Sequence, residues 1–233
     1  MKFIVVAGTP GSGKTSILVH TIKLLIKQQH KLSVAKIDCL FTEDGKRFAN
    51  LGVPVQIGLS KDMCPDHFSI YNTDAMIHFA EQNQSEYLIM ETAGLCHRCA
   101  PFTENCLGIC VIDATCGPNN PAKLGPFLSC ADVVAVTKGD MVSQAEREIF
   151  RERILETNPT CKIVETNGLS GQGAAELALA ISQSAQEITN DEMLRHNAPF
   201  SACTLCAGEK RTGAEFHRGL LREMNGIQKY IGE

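Results

Sequence analysis

Eight residues constrain this chain more than any others. Gly8-Thr9-Pro10-Gly11-Ser12-Gly13-Lys14-Thr15 fill the pattern G-x-x-x-x-G-K-[ST]. The apolar run KFIVVA precedes them and reads as a buried strand. GKTSILVHTIKLLIKQQ follows, with apolar residues at helical spacing, and predicts a helix from Lys14 to about Gln29. A strand before and a helix after is the context a phosphate-binding loop demands. Its glycines let backbone N–H groups turn inward around phosphate oxygens, and the helix N-terminus adds positive potential. Gly8, Gly11, Ser12, Gly13, Lys14, Thr15 and Ser16 are therefore the candidate phosphate set. Lys14 is expected to reach the β- and γ-phosphates, and Thr15 to ligate Mg²⁺.

The rest of the first 189 residues alternates in the same way. Strands are predicted at LSVAKI, VPVQI, EYLIME, LGICVIDA, DVVAVTK and CKIVET. Helices are predicted at TEDGKRFANLG, at TDAMIHFAEQ with Thr73 as N-cap, at SQAEREIFRERILET with Ser143 and Glu146 as a capping box, and at GAAELALAISQSAQEI. GLSKDMCPDHFSIYN, broken by Pro65, reads as a loop. The strands are short, continuous apolar runs, which indicates an α/β fold with a mostly parallel sheet covered by helices on both faces. Residues 1–189 are expected to form this domain. Residues 190–233, more polar, are expected to be a tail ending in a short helix.

A chain of 233 residues suits one such domain with a modest appendage. The formal charge of -4 shows no basic footprint for nucleic acid. No stretch is long and apolar enough to span a bilayer, and the N-terminal run lacks the pattern of a signal peptide. A cytoplasmic protein is the expectation.

Further residues point to the nucleotide. Glu91 ends a strand expected to lie beside the first, where an acid can serve the Mg²⁺ shell or orient attacking water. Asp38 ends the second strand and is the other candidate for that work. Gly94 follows at a spacing from which a backbone N–H can meet a γ-phosphate. VTKGD, residues 136–140, resembles the guanine-reading [NT]-K-x-D pattern. Asp140 would accept from the base and Lys138 would lie along the ring. NGLSGQG, with Ser170 and Gly171, stands after the last strand, where a base-contacting loop belongs. Together these segments favour GTP, with ATP the alternative.

At this point the chain resembles the nickel-insertion GTPases of the hydrogenase-maturation and urease-accessory families, in the signal-recognition/MinD-type (SIMIBI) branch of P-loop enzymes. The similarity runs over roughly Lys2 to Ile188 and rests on GTPGSGKT, on KIDCLFTEDGK, and on Glu91 before Gly94. The family also carries a cysteine–histidine metal motif that matches MCPDHFSIYNTDAM. Cys64 falls on the metal-binding cysteine. Asp66 stands at the urease-accessory histidine position, and His67 follows it. The resemblance implies a slow GTPase, a nucleotide-dependent homodimer that brings these cysteines together, and service to a client metalloenzyme or its maturation proteins.

The chain holds 11 cysteines. Cys39, Cys130 and Cys161 sit in or beside apolar runs and read as core thiols, while Cys110 and Cys116 can go either way. Cys96 and Cys99 form a C-x2-C pair, Cys106 follows, and Cys203 and Cys206 form a second pair in the tail. Two such pairs supply four thiolates, enough for Zn²⁺ or a [4Fe–4S] cluster. Which of them meet stays open. His196 and His217 read as solvated. The first pair begins two residues after Gly94, so a metal held there would move with a loop that senses the γ-phosphate. The leading expectation is a maturation GTPase or metallochaperone coupling hydrolysis to a Ni²⁺, Zn²⁺ or iron–sulfur site. The alternatives are a redox- or metal-sensing switch, a small-molecule kinase, and a purely structural zinc site.

Overall fold

The computed structural model describes residues 1–95, 99–189, 192–197 and 208–232. Seven strands form one sheet: β1 (Lys2–Ala7), β2 (Leu32–Asp38), β3 (Val55–Leu59), β4 (Tyr87–Glu91), β5 (Cys106–Asp113), β6 (Val133–Thr137) and β7 (Lys162–Glu165). Their order is β3-β2-β4-β1-β5-β6-β7, and every pairing is parallel. A parallel sheet needs crossovers on its faces, and the chain supplies them. Helices α1 (Lys14–Lys27), α2 (Asp44–Ala49) and α7 (Ala174–Gln183) pack on one face. Helices α3 (Pro65–Tyr71), α4 (Thr73–Gln82), α5 (Pro126–Ser129) and α6 (Gln144–Thr157) pack on the other.

Two cores result, and β1 shows why its sequence is apolar throughout. Phe3, Val5 and Ala7 point into one core, while Ile4 and Val6 point into the other. Phe68 from α3 and Phe127 from α5 are fully buried in the first. Burying a side chain of that size contributes roughly 2 kcal/mol. α6 begins at the expected capping box: Ser143 Oγ accepts from Glu146 N at 3.3 Å, and Ser143 N donates to Glu146 Oε2 at 2.8 Å.

Three expectations are corrected. The segment after Pro65 is a helix, because proline at the first helical position starts a helix rather than breaking one. Thr73 opens α4 without capping it; its hydroxyl donates back to the Ser69 and Ile70 carbonyls at 3.1 and 3.0 Å. The C-terminal stretch is an antiparallel hairpin, β8 (Gly219–Arg222) with β9 (Gln228–Ile231), not a helix. Its turn carries Asn225-Gly226, with Gly226 at φ 80°, a conformation glycine adopts without strain.

The described residues beyond 189 return to the sheet. Leu194 is buried and bridges Thr103. Arg195 donates to the carbonyls of Thr103, Cys130 and Cys106 at 2.8, 2.7 and 2.6 Å and pairs with Asp132 at 2.9 Å. The hairpin sits on α3 and α4, where Asn72 donates to Arg222 O and accepts from Met224 N, both at 2.9 Å.

Candidate functional site

The carboxyl ends of the parallel strands lie on one edge of the sheet, and the candidate residues collect there. Asp38 ends β2, Glu91 ends β4, Asp113 ends β5 and Thr137 ends β6. In open α/β sheets this edge is where ligands bind. Between β1 and α1 the phosphate loop turns through Gly11 and Gly13, both at positive φ. Lys14 folds back over the loop and donates to the Gly8 and Thr9 carbonyls at 2.9 and 3.0 Å. Burial lowers its pKa to about 8, with Glu91 opposing. Gly94 lies against this arrangement at φ 78°: a Cβ there would stand 1.8 Å from Gly8 O and 3.0 Å from Lys14 Nζ. The loop after β4 is thus seated on the phosphate loop, and only glycine allows it.

Below the loop is a charged nest lining a cavity of about 400 Å³. Thr15 Oγ1 donates to Glu91 Oε1 at 2.6 Å and lies 3.1 Å from Asp44 Oδ2. Lys36 Nζ reaches Glu91 Oε1 at 2.8 Å, Asp44 Oδ2 at 3.5 Å and Asp38 Oδ2 at 3.8 Å. Glu91 is 1% exposed and Lys36 4%. Burial works against the Lys36 ammonium, but Glu91, Asp44 and Asp38 together outweigh it and its pKa ends above the ordinary lysine value. Burial likewise pushes Asp44 up, yet Lys36, the Thr15 hydroxyl and Arg47 hold its carboxyl below the usual range. Arg47 also donates to Ser16 Oγ at 3.2 Å. Sequence reasoning found Asp38 and Glu91 but missed Lys36 and Asp44. The signal for Lys36 was present: a lysine inside an apolar strand is buried only when paired.

A second cavity, about 300 Å³, opens beside the first. Its lining includes Lys138, Asp140, Met141, Asn167, Gly168 and Leu169. Lys138 donates to Gly11 O at 3.0 Å and pairs with Asp113. Thr137 Oγ1 donates to Ser12 O at 2.6 Å, so this side chain ties β6 to the phosphate loop. Ser170 and Gly171 lie outside that lining, and Gly171 instead packs beside the His20 ring. Asn167 holds the turn by accepting from Leu169 N and Ser170 N at 2.8 and 3.1 Å.

Among the described residues, the soft-ligand candidates are not gathered into one group. Cys64 is half-buried at the start of α3. His67 is buried, its Nε2 2.9 Å from Nδ1 of His217. His217 is buried too, against the expectation that it is solvated, and its Nε2 lies 3.1 Å from Arg211 O. A carbonyl only accepts, so His217 carries its proton on Nε2 and accepts on Nδ1; His67 then donates from Nε2. A metal on His67 would have to use Nδ1. Burial, with His217 adding to it, lowers His67 to about 3. Asp66 does not face Cys64's surface: it is fully buried, and burial pushes its carboxyl up to about 8. His196 is half-buried, with Nε2 3.1 Å from Ala100 N. Cys99 is buried, and Cys106 opens β5 inside the apolar core, where burial pushes its thiol up to about 12. That environment favours a neutral thiol. Cys96, Cys203 and Cys206 lie outside the described residues. Among the described residues, no group of three or more His, Cys, Asp or Glu side chains is placed to hold a metal ion. None of their helices is long and apolar enough to cross a membrane.

The sequence profile of the CobW/HypB/UreG nucleotide-binding domain matches residues 2–165. The chain belongs to that family. As a CobW/HypB/UreG member it is a SIMIBI-class P-loop NTPase, which agrees with the strand order and the loop geometry. An uncharacterized protein of Methanocaldococcus jannaschii is 59% identical over 235 residues, covering 100% of both chains. The urease accessory protein UreG of Trichodesmium erythraeum is 29% identical, over 74% of this chain and 86% of its own. The crystal structure of HypB from Helicobacter pylori in complex with nickel superposes with a TM-score of 0.63 at 18% identity, over 82% of this chain and 91% of that one. At that identity the likeness shows the shared CobW/HypB/UreG fold.

Proposed function

We propose that the chain is a GTP-dependent maturation factor, which couples Mg²⁺-assisted hydrolysis to a soft-metal or iron–sulfur site serving a client metalloenzyme. The observation that carries this reading is the seat of Gly94 on Gly8 and Lys14. A γ-phosphate entering that seat must displace or engage the loop that leads directly into Cys96 and Cys99. Lys14 leaves its own loop carbonyls and donates to phosphate oxygens. The Thr15 hydroxyl and Glu91 suit Mg²⁺, a hard cation that prefers oxygen ligands and keeps several waters. Glu91 Oε2 supports the fit, since it is buried with no hydrogen-bond partner among the described residues. Mg²⁺ would neutralise charge on the β- and γ-phosphates. Asp38, on the cavity rim, is the side chain we assign to the attacking water. Asp140 accepts from guanine, with Lys138 along the ring.

The relatives supply the class of client. HypB is described with nickel and UreG as a urease accessory protein. We place the metal on cysteines from Cys64, Cys96, Cys99, Cys203 and Cys206, in a nucleotide-dependent homodimer, with residues 1–189 as the NTPase domain. Anaerobic purification followed by nickel, zinc, iron and sulfide analysis, with and without a non-hydrolysable GTP analogue, tests it. A bound metal whose affinity or spectrum changes with the analogue is expected. Metal-free protein with an unaltered nucleotide cycle refutes the reading.

A further inference from the structure

Lys36 occupies an unexpected place. Three carboxylates lining the cavity, Asp38, Asp44 and Glu91, converge on its ammonium at 3.8, 3.5 and 2.8 Å. The ammonium and the Thr15 hydroxyl share both acceptors, since Thr15 Oγ1 also meets Glu91 Oε1 and Asp44 Oδ2. Whatever is held by Thr15 and Glu91 must therefore lie beside Lys36. The side chain cannot retreat into the sheet. Lys36 is buried in β2, hydrogen-bonded in register with Ile57 of β3 and Glu91 of β4.

We infer that Lys36 is a resident counter-cation for the metal-facing acids. It neutralises Glu91 and Asp44 while the nucleotide is absent, and thereby keeps divalent cations out. The cavity then accepts Mg²⁺ only together with a nucleotide, whose phosphates add negative charge on the opposite side and offset the repulsion between ammonium and metal. The protein would not load magnesium first and wait for a nucleotide. This inference rests on the assignment of Thr15 and Glu91 to Mg²⁺, and Lys36 acts as a positioning residue in it.

The test is Mn²⁺ binding, by electron paramagnetic resonance and calorimetry, on the full chain with and without GDP or a non-hydrolysable GTP analogue. Wild type should bind Mn²⁺ with nucleotide and show no saturable site without it. Lys36→Gln, which can still donate to Glu91, and Lys36→Met should gain nucleotide-free Mn²⁺ affinity of roughly a hundredfold over the wild-type background. That is the order expected for removing one charge beside a divalent ion at a partly screened site. Lys36→Arg keeps the charge and should still exclude the ion. A lysine with a merely structural role would not produce this pattern. Variants that fold only with Mg²⁺ or Mn²⁺ present also support the inference. Variants that stay unfolded at saturating metal overturn it, because the ammonium then does what no cation replaces. Equal nucleotide-free affinity in wild type and the neutral variants overturns it as well. If wild type binds no Mn²⁺ even with nucleotide, the assignment of Thr15 and Glu91 itself is wrong.

Discussion

The nucleotide edge of the sheet and helix α3 solve the same problem in opposite ways. On the phosphate side, buried charged groups are paired: Lys36 with Glu91, and Asp113 with the half-exposed Lys138, while the Thr15 hydroxyl donates to Glu91 and meets Asp44. In α3 and its contact with the C-terminal hairpin, buried groups become neutral. His67 and His217 share one hydrogen bond across that contact, and burial holds the neighbouring Asp66 carboxyl in its protonated form. Charge left in a buried site must be matched locally or given up. The phosphate side keeps charge that a ligand can exchange for its own. The hairpin side spends no charge and fixes a 150-residue span of chain in place.

The sharpest way to break this contrast is Gly94→Ala. The new Cβ would meet Gly8 O, at a φ that L residues rarely adopt. Nucleotide affinity, read with a fluorescent GTP analogue, should fall by more than about a hundredfold, since the backbone cannot move aside without moving the phosphate loop. The hairpin side should be untouched, with His67 and His217 keeping their NMR chemical shifts. Next in size is Glu91→Gln. It strips the charge from one partner of a buried pair and leaves Lys36 only its longer contacts to Asp44 and Asp38, an effect of up to about 3 kcal/mol. In a chain this long that lowers the melting temperature by roughly 6–12 °C. Because the loss is electrostatic, Mg²⁺ with nucleotide should not restore it fully. A variant as stable as wild type would mean that Lys36 is already matched by Asp38 and Asp44.

How much of this was legible follows from the same contrast. The phosphate loop is contiguous, and Glu91 and Asp38 end apolar runs, so position in the chain announced position in the fold. Lys36 was passed over as one polar residue in a strand, and Asp113 as the end of another. A lysine in an apolar strand announces that it is paired, but the partner of each is known only when the neighbouring strand is. The hairpin side offered less. His67 and His217 share no local pattern, and their meeting depends on a return of the chain that no periodicity encodes. Pro65 was read as a breaker although a proline can equally begin a helix, and Asn225-Gly226 carried a turn signal that outweighs the helical reading of the tail. The placement of Ser170 and Gly171 beyond the second cavity turned on which three residues of one loop line it, a choice set by the Asn167 side chain.

The smallest effect separates the neutral pair of neighbours, Asp66 and His67, by pH. Asp66 is raised from 3.8 to about 8, so its folded form holds a proton that the unfolded chain gives up. The stability it contributes is complete below pH 3.8 and is lost as pH rises through 8. His67 is lowered from 6.5 to about 3, so its contribution is complete above pH 6.5 and is lost as pH falls toward 3. His217, also lowered by burial, acts in the same direction as His67. Each slope is at most about 1.4 kcal/mol per pH unit. Between pH 3.8 and 6.5 Asp66 and His67 oppose each other, and urea melts of the nucleotide-free protein should show only the slope that His217 adds, a loss of stability as pH falls. Above pH 6.5 the histidines no longer oppose Asp66, and stability should decline toward pH 8 by at most about 2 kcal/mol, with Lys14, lowered to about 8, beginning to act against it at the upper end. Asp66→Asn should abolish that decline and uncover the acid-side loss of the histidine pair. His67→Gln should do the reverse, removing its own share of the acid-side loss, so that stability below pH 6.5 falls less steeply than in wild type. If Asp66→Asn leaves the alkaline decline in place, the carboxyl is ionised in the folded chain and has found a cation. The neutral side of the comparison would then operate by the same pairing as the charged side.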